Sequence, residues 1–179
     1  MRTEEQNLAI QYLSDTAKAV EAKFDEYLPS PTIEPCRLHE AMRYSMFAGG
    51  KRLRPALVKA AFDLFGGQGE SVWYAMSALE MLHTFSLIHD DLPCVDNDDM
   101  RRGKPTAHKK FGEATAVLGG DALCILAFEL MAKTGNAKAI EILARQLGTF
   151  GMIGGEMRDV ECEGKTVTLD VVDYIHYHK

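Results

Sequence analysis

With 179 residues the chain is long enough for one domain with a sizeable core, and 46% hydrophobic with 26% charged residues is an ordinary globular composition. A net charge of −6, with no stretch interleaving aromatic and basic residues, argues against a nucleic-acid binder. Cys36, Cys94, Cys124 and Cys162 are widely spaced and form no CxxC pair, which argues against a disulfide scaffold or zinc site and for reduced thiols.

Helical periodicity dominates and no stretch alternates as a strand does, so the expected class is all-α, as a single domain over 1–179. The opening Met1 to Asn7 is polar, without the apolar segment of a signal peptide, and the protein reads as cytoplasmic. Ala9, Leu13, Ala17, Val20 and Phe24 predict a first helix that ends before Pro29. Leu38, Met42 and Ser45 to Phe47 predict a second, stopped by Gly49-Gly50. A third runs from Pro55 through Leu57, Ala60, Ala61 and Leu64 to Gly66-Gly67. Val72, Met76, Leu79, His83 and Leu87 mark a long fourth helix leading to Asp90.

Further on, Ala114, Leu118, Ala122, Ile125 and Glu129 predict another helix, in which Asp121 and Glu129 argue against a membrane span. Ile140, Leu143, Leu147, Phe150 and Gly154 predict the next, whose Gly148, Gly151, Gly154 and Gly155 read first as a close helix contact and second as room for a ligand. Thr168 is placed to cap a last helix with Val172 and Ile175. No Gly, Pro or Asn closes that helix before Lys179, so the chain reads as the N-terminal part of something longer.

The chemistry gathers in two segments. Asp90, Asp91, Asp96, Asp98 and Asp99 put five carboxylates within ten residues, and Arg101, Arg102 and Lys104 follow. Such a cluster repels itself unless cations neutralise it. Oxygen-only ligands suit Mg²⁺, which takes one or two carboxylates plus substrate phosphates, and arginine forks fit the same phosphates. Cys94 lies among these acids, which would raise its pKa and keep it from acting as a nucleophile. The second segment, Gly49-Gly50-Lys51-Arg52-Leu53-Arg54-Pro55, sets three cations beside paired glycines at a helix start, a setting for a diphosphate. Each feature also has an ordinary reading: an acidic surface turn, a solvated basic turn, and, for His83, a core histidine about 10 Å from Asp90 along one helix face.

Taken together, Gly49 to Pro55, His83 through Lys104, Gly119-Gly120-Asp121 and Gly154-Gly155 with Asp159 resemble the trans-polyprenyl diphosphate synthases, most closely the bacterial short-chain farnesyl diphosphate synthases. The resemblance implies an isoprenoid-synthase-type helical bundle around a central apolar cavity, here apparently truncated. It implies Mg²⁺-dependent head-to-tail condensation of isopentenyl diphosphate with dimethylallyl or geranyl diphosphate, and a homodimer. Asp90 and Asp96 would bind Mg²⁺, with Asp91 in support. Arg101 and Lys179 would hold the allylic diphosphate. Lys51, Arg54, His83 and Arg102 would hold isopentenyl diphosphate. Asp90, Asp96, Arg101 and Lys179 are thus the expected catalytic set.

Phe85 and Ser86, the fifth and fourth residues before Asp90, would set product length. In the family it resembles, a ring at the fifth position stops growth at fifteen carbons, so the resemblance implies that Phe85 favours farnesyl diphosphate, with geranylgeranyl diphosphate as the alternative. Glu156 stands where the family usually has Gln, and the family's second aspartate-rich motif has no counterpart before Lys179. The chain alone is therefore expected to be inactive. A non-catalytic diphosphate-binding subunit is the competing reading, and a class I terpene cyclase is disfavoured because it needs no second diphosphate site.

Overall fold

The computed structural model describes residues 3–179, as two compact units, one ending at Thr134 and one running from Gly135 to Lys179. The described residues are predominantly helical, as expected.

In the first unit, α1 (Glu4–Tyr27) opens on a reciprocal cap: the Thr3 hydroxyl accepts from the Gln6 N–H at 3.2 Å and the Gln6 side chain accepts from the Thr3 N–H at 3.0 Å. Only its C-terminal half is buried, through Thr16, Val20 and Phe24, so Ala9 at the head of the predicted stripe stays exposed. α2 (Cys36–Met46) and α3 (Leu53–Leu64) follow, then α4 (Ser71–Asp90), short α5 (Ala107–Phe111) and α6 (Glu113–Lys133). α4 and α6 make the most extensive packing in the unit. Met76, Ala78 and Met81 on α4 and Leu123 and Ala127 on α6 are fully buried.

Two predicted faces differ from the observed ones. α6 buries Ala116, Gly119, Gly120, Leu123, Ala127, Leu130 and Met131, whereas Ala114, Leu118, Ile125 and Glu129 of the predicted stripe are exposed. A helix apolar almost all round has no periodicity to pick its buried side, so its neighbours decide. By length and composition α6 is apolar enough to cross a membrane despite Asp121 and Glu129. Its packing on α4, α2 and α5 gives that composition a core role. On α3, which starts at Leu53 rather than Pro55, Pro55 and Ala56 are buried while Leu57, Ala60, Ala61 and Leu64 are exposed.

A two-stranded hairpin, β1 (Met100–Arg101) with β2 (Lys104–Pro105), was not foreseen, because two-residue strands leave no alternation to read. In the second unit the single predicted helix over Ile140 to Gly154 is two, α7 (Ala137–Leu147) and α8 (Met152–Cys162). Gly148 (ψ −154°) and Gly151 (ψ −134°) leave helical backbone between them. Gly155 is buried against the end of α9 (Leu169–His178), where a Cβ would collide with the Lys179 backbone nitrogen and lie 2.8 Å from the His178 carbonyl carbon. The close-contact reading therefore holds at Gly155. Thr168 occupies the N-cap of α9, but its side chain makes no capping hydrogen bond.

Candidate active site

α4 stops at Asp90, and the chain then folds back on the helix end. The Asn97 N–H donates to the Leu92 carbonyl at 3.0 Å and the Asp96 N–H to the Asp90 carbonyl at 2.9 Å. This turn brings Asp90 and Asp96, six positions apart, to one end of the helix. The five acids are not equivalent there. Asp91 is only 3% exposed and takes a bidentate grip from Arg101, with Nε at 2.8 and 2.9 Å and Nη2 at 2.6 Å. Asp99 pairs with Lys109 at 2.8 Å, and Asp98 lies 3.8 Å from Arg101. Asp96 is exposed and has no basic partner among the described residues.

The hairpin then aims two arginines differently. Its turn is Arg102–Gly103, with φ of 52° and 77°, the left-handed pair that a two-residue hairpin loop requires. Arg101 turns in to Asp91, while Arg102 Nη1 donates to the Gly49 carbonyl. Tyr44 Oη donates to the Pro105 carbonyl at 2.8 Å and Thr106 Oγ1 to the Asp98 carbonyl at 2.8 Å, stapling the hairpin to α2 and to the acidic turn. Gly50 is favoured here by its φ of +142°, a backbone region L side chains rarely adopt.

The two motifs singled out in the sequence are thus joined through Arg102. Lys51 and Arg54 are exposed nearby in sequence, and neither has a carboxylate partner among the described residues. A cavity of about 40 Å³ beneath Arg101 and Arg102 is lined by Tyr44, Thr84, Ile88 and Asp91. That volume is too small to enclose a diphosphate.

His83 is half-buried, and its pKa is pushed down to about 4, by burial first and then by the charges of Arg54, Arg102, Arg101 and Arg52. Burial and the neighbouring Arg52 likewise lower the pKa of Arg102. This excess of positive charge is what an anion would relieve. At neutral pH His83 is an uncharged imidazole, available as a hydrogen-bond donor.

The same shift has a consequence for stability. Between pH 6.5 and 4 the unfolded chain binds a proton that folded His83 refuses, so this contribution is full above pH 6.5 and is lost as pH falls through the window. His83→Gln should therefore flatten the fall of the urea midpoint between pH 6.5 and 4. An unchanged slope in the variant would contradict the assignment.

Phe85 is 8% exposed and sits edge-on to His89, ring centroids 5.2 Å apart, and His89 Nε2 lies 3.1 Å from the Val117 carbonyl on α6. Ser86 is half-buried, with its hydroxyl donating to the His83 carbonyl at 2.9 Å. Lys179 belongs to the second unit, where its ammonium pairs with Asp159 at 2.6 Å and Glu156 at 3.0 Å. Burial opposes its charge, but the two carboxylates outweigh burial and raise its pKa. Glu156 thus neutralises Lys179 in this structure. Sequence reasoning missed the partners of Arg52, namely Glu21 and Glu80; the available signal was a lone carboxylate in the apolar run of α4.

The profile of the polyprenyl synthetase family matches residues 35–179. The chain is 47% identical over 176 residues to a chloroplastic geranylgeranyl pyrophosphate synthase of Capsicum annuum, covering 94% of this chain and 47% of that protein. It is 45% identical over 178 residues to a farnesyl diphosphate synthase of Geobacillus stearothermophilus, covering 94% of this chain and 59% of that protein. Among solved structures, an FPP/GFPP synthase from Zymomonas mobilis superposes with a TM-score of 0.85 at 42% identity, over 94% of this chain and 64% of the other. The chain spans about half the length of the curated relatives it matches. On this evidence the chain belongs to the polyprenyl synthetase family, and its fold is that of the isoprenoid synthases.

Proposed function

We propose that the protein joins isopentenyl diphosphate head-to-tail to dimethylallyl or geranyl diphosphate, giving farnesyl diphosphate. The observation that carries this reading is the hairpin that couples a cationic turn to an acidic one: Arg102 on the Gly49 carbonyl, and Arg101 on Asp91 beside Asp90 and Asp96. In this reading Lys51, Arg54, Arg102 and neutral His83 hold isopentenyl diphosphate, and Arg101 holds the allylic diphosphate. The allylic C–O bond breaks, the double bond of isopentenyl diphosphate forms the new C–C bond, and the proton it sheds leaves with the released diphosphate. No protein nucleophile is needed.

Asp90 and Asp96 offer oxygen donors only. Such a two-carboxylate set fits Mg²⁺, with the remaining positions left to water and phosphate oxygens. The ion would neutralise charge on the departing diphosphate. A homodimer is part of the same reading.

Farnesyl rather than geranylgeranyl diphosphate is favoured by the buried ring of Phe85, one helical step to the side of Ser86 and below Asp90. The test is Mg²⁺-dependent coupling with each allylic primer, products sized by mass spectrometry, on this chain and on the chain extended to the length of its relatives. A fifteen-carbon product from the extended form alone supports the synthase. Diphosphate binding without turnover in either form supports a non-catalytic subunit. Phe85→Ala should lengthen the product while destabilising the fold by about 3–5 kcal/mol; an unchanged product length would remove Phe85 from that role.

A further inference from the structure

Arg52 stands among the basic residues of the Gly49–Pro55 segment, yet only 2% of it is exposed. Its guanidinium fans out to three acceptors: Nε to Glu21 Oε1 at 3.0 Å, Nη1 to Glu80 Oε1 at 3.0 Å, and Nη2 to the Met46 carbonyl at 2.7 Å. The Phe24 ring lies against it, 5.4 Å from the guanidinium carbon. Glu80, on α4, is also 2% exposed. A side chain this enclosed does not touch a substrate.

The backbone of Arg52 is left-handed, with φ 50° and ψ 37°, at the N-cap of α3. Its carbonyl accepts from the Ala56 N–H at 3.2 Å, the first bond of that helix. A non-glycine residue keeps such a conformation when its surroundings over-determine it, and here the buried side-chain contacts do so. With Arg52 drawn inward, the flanking Lys51 and Arg54 are left exposed. Glu80 also precedes His83 by three residues on α4, so one carboxylate ties the basic turn to the helix face that carries His83. Stability alone gives little reason to keep the pair, since apolar residues often replace a buried ion pair without loss.

We propose that Glu80 and Arg52 are positioning residues for the isopentenyl diphosphate subsite, the buried pair holding the left-handed turn that aims Lys51 and Arg54. This rests on the function proposed above. The binding of isopentenyl diphosphate and of geranyl diphosphate, each with Mg²⁺, is measured by calorimetry for wild type, Glu80→Ala and Arg52→Lys, well below melting temperatures followed by circular dichroism. Both variants should weaken isopentenyl diphosphate at least tenfold and change geranyl diphosphate less than twofold. Wild-type affinity for isopentenyl diphosphate, or equal weakening of both ligands as general loosening would give, overturns the inference. Should Glu80→Ala not fold, Arg52→Lys decides, because lysine keeps the charge but cannot reach three acceptors at once. A wild type that binds neither ligand overturns the functional reading itself, and this inference with it.

Discussion

Asp90→Asn is expected to lower turnover by about 10²–10³-fold in the form that is active with Mg²⁺, and to raise the Mg²⁺ concentration needed for half-maximal rate. Asp96→Asn should behave alike, because the bond from the Asp96 N–H to the Asp90 carbonyl places the two residues at the same helix end. The informative controls are the other acids. Asp99 already pairs with Lys109 at 2.8 Å, and its side chain is 69% exposed. Loss of an exposed pair of this kind changes stability by under about 1 kcal/mol, and Asp99→Asn should leave the Mg²⁺ dependence unaltered. If all of these substitutions reduced the rate equally, the motif would be acting as a diffuse negative field and the assignment of Asp90 and Asp96 would fall. Steady-state rates against Mg²⁺ concentration decide between the two.

Asp91→Ala should be the most damaging substitution to the site's architecture. Asp91 is nearly inaccessible, and both of its oxygens are taken by Arg101. Removing the carboxylate leaves the Arg101 guanidinium, still partly enclosed, with only the more distant and exposed Asp98 at 3.8 Å. Breaking a buried pair on one side typically destabilises by about 3–5 kcal/mol, and the 30% exposure of the Arg101 side chain puts the expected loss near the lower end. A second effect follows from geometry. The Arg101 fork is oriented by Asp91, so affinity for the allylic diphosphate should fall by roughly tenfold or more even where the protein stays folded. Asp91→Asn, which keeps the shape and one acceptor oxygen, should recover part of both losses. Urea unfolding together with calorimetric titration of geranyl diphosphate separates the two effects. Loss of stability with unchanged affinity would make Asp91 a packing residue only.

Much of the candidate site was legible in the sequence because its residue patterns are local. The acidic run, the Gly-Gly-Lys-Arg turn and His83 one helical stretch before Asp90 are each short patterns whose residue types already imply metal and phosphate binding. The helices at α1 and α2 were legible for the same kind of reason: a polar or proline-glycine boundary ends a run with one apolar stripe. What was not legible depended on partners far away in sequence. The three basic residues Lys51, Arg52 and Arg54 look equivalent in the chain, yet Arg52 is buried on Glu80 and Glu21 while the others face out. The five aspartates look equivalent too, until Arg101 claims Asp91 and Lys109 claims Asp99.

Residue order by itself therefore determined the helical class, the family resemblance and the inventory of clustered acidic and basic groups, because helix periodicity and charge clustering act over a few residues. The tertiary structure decided which face of α6 is buried, where the helix beyond Ile140 breaks, and which charged side chains are spent on one another. Burial and ion pairing are set by the nearest atoms in space, and those atoms come from positions tens of residues apart.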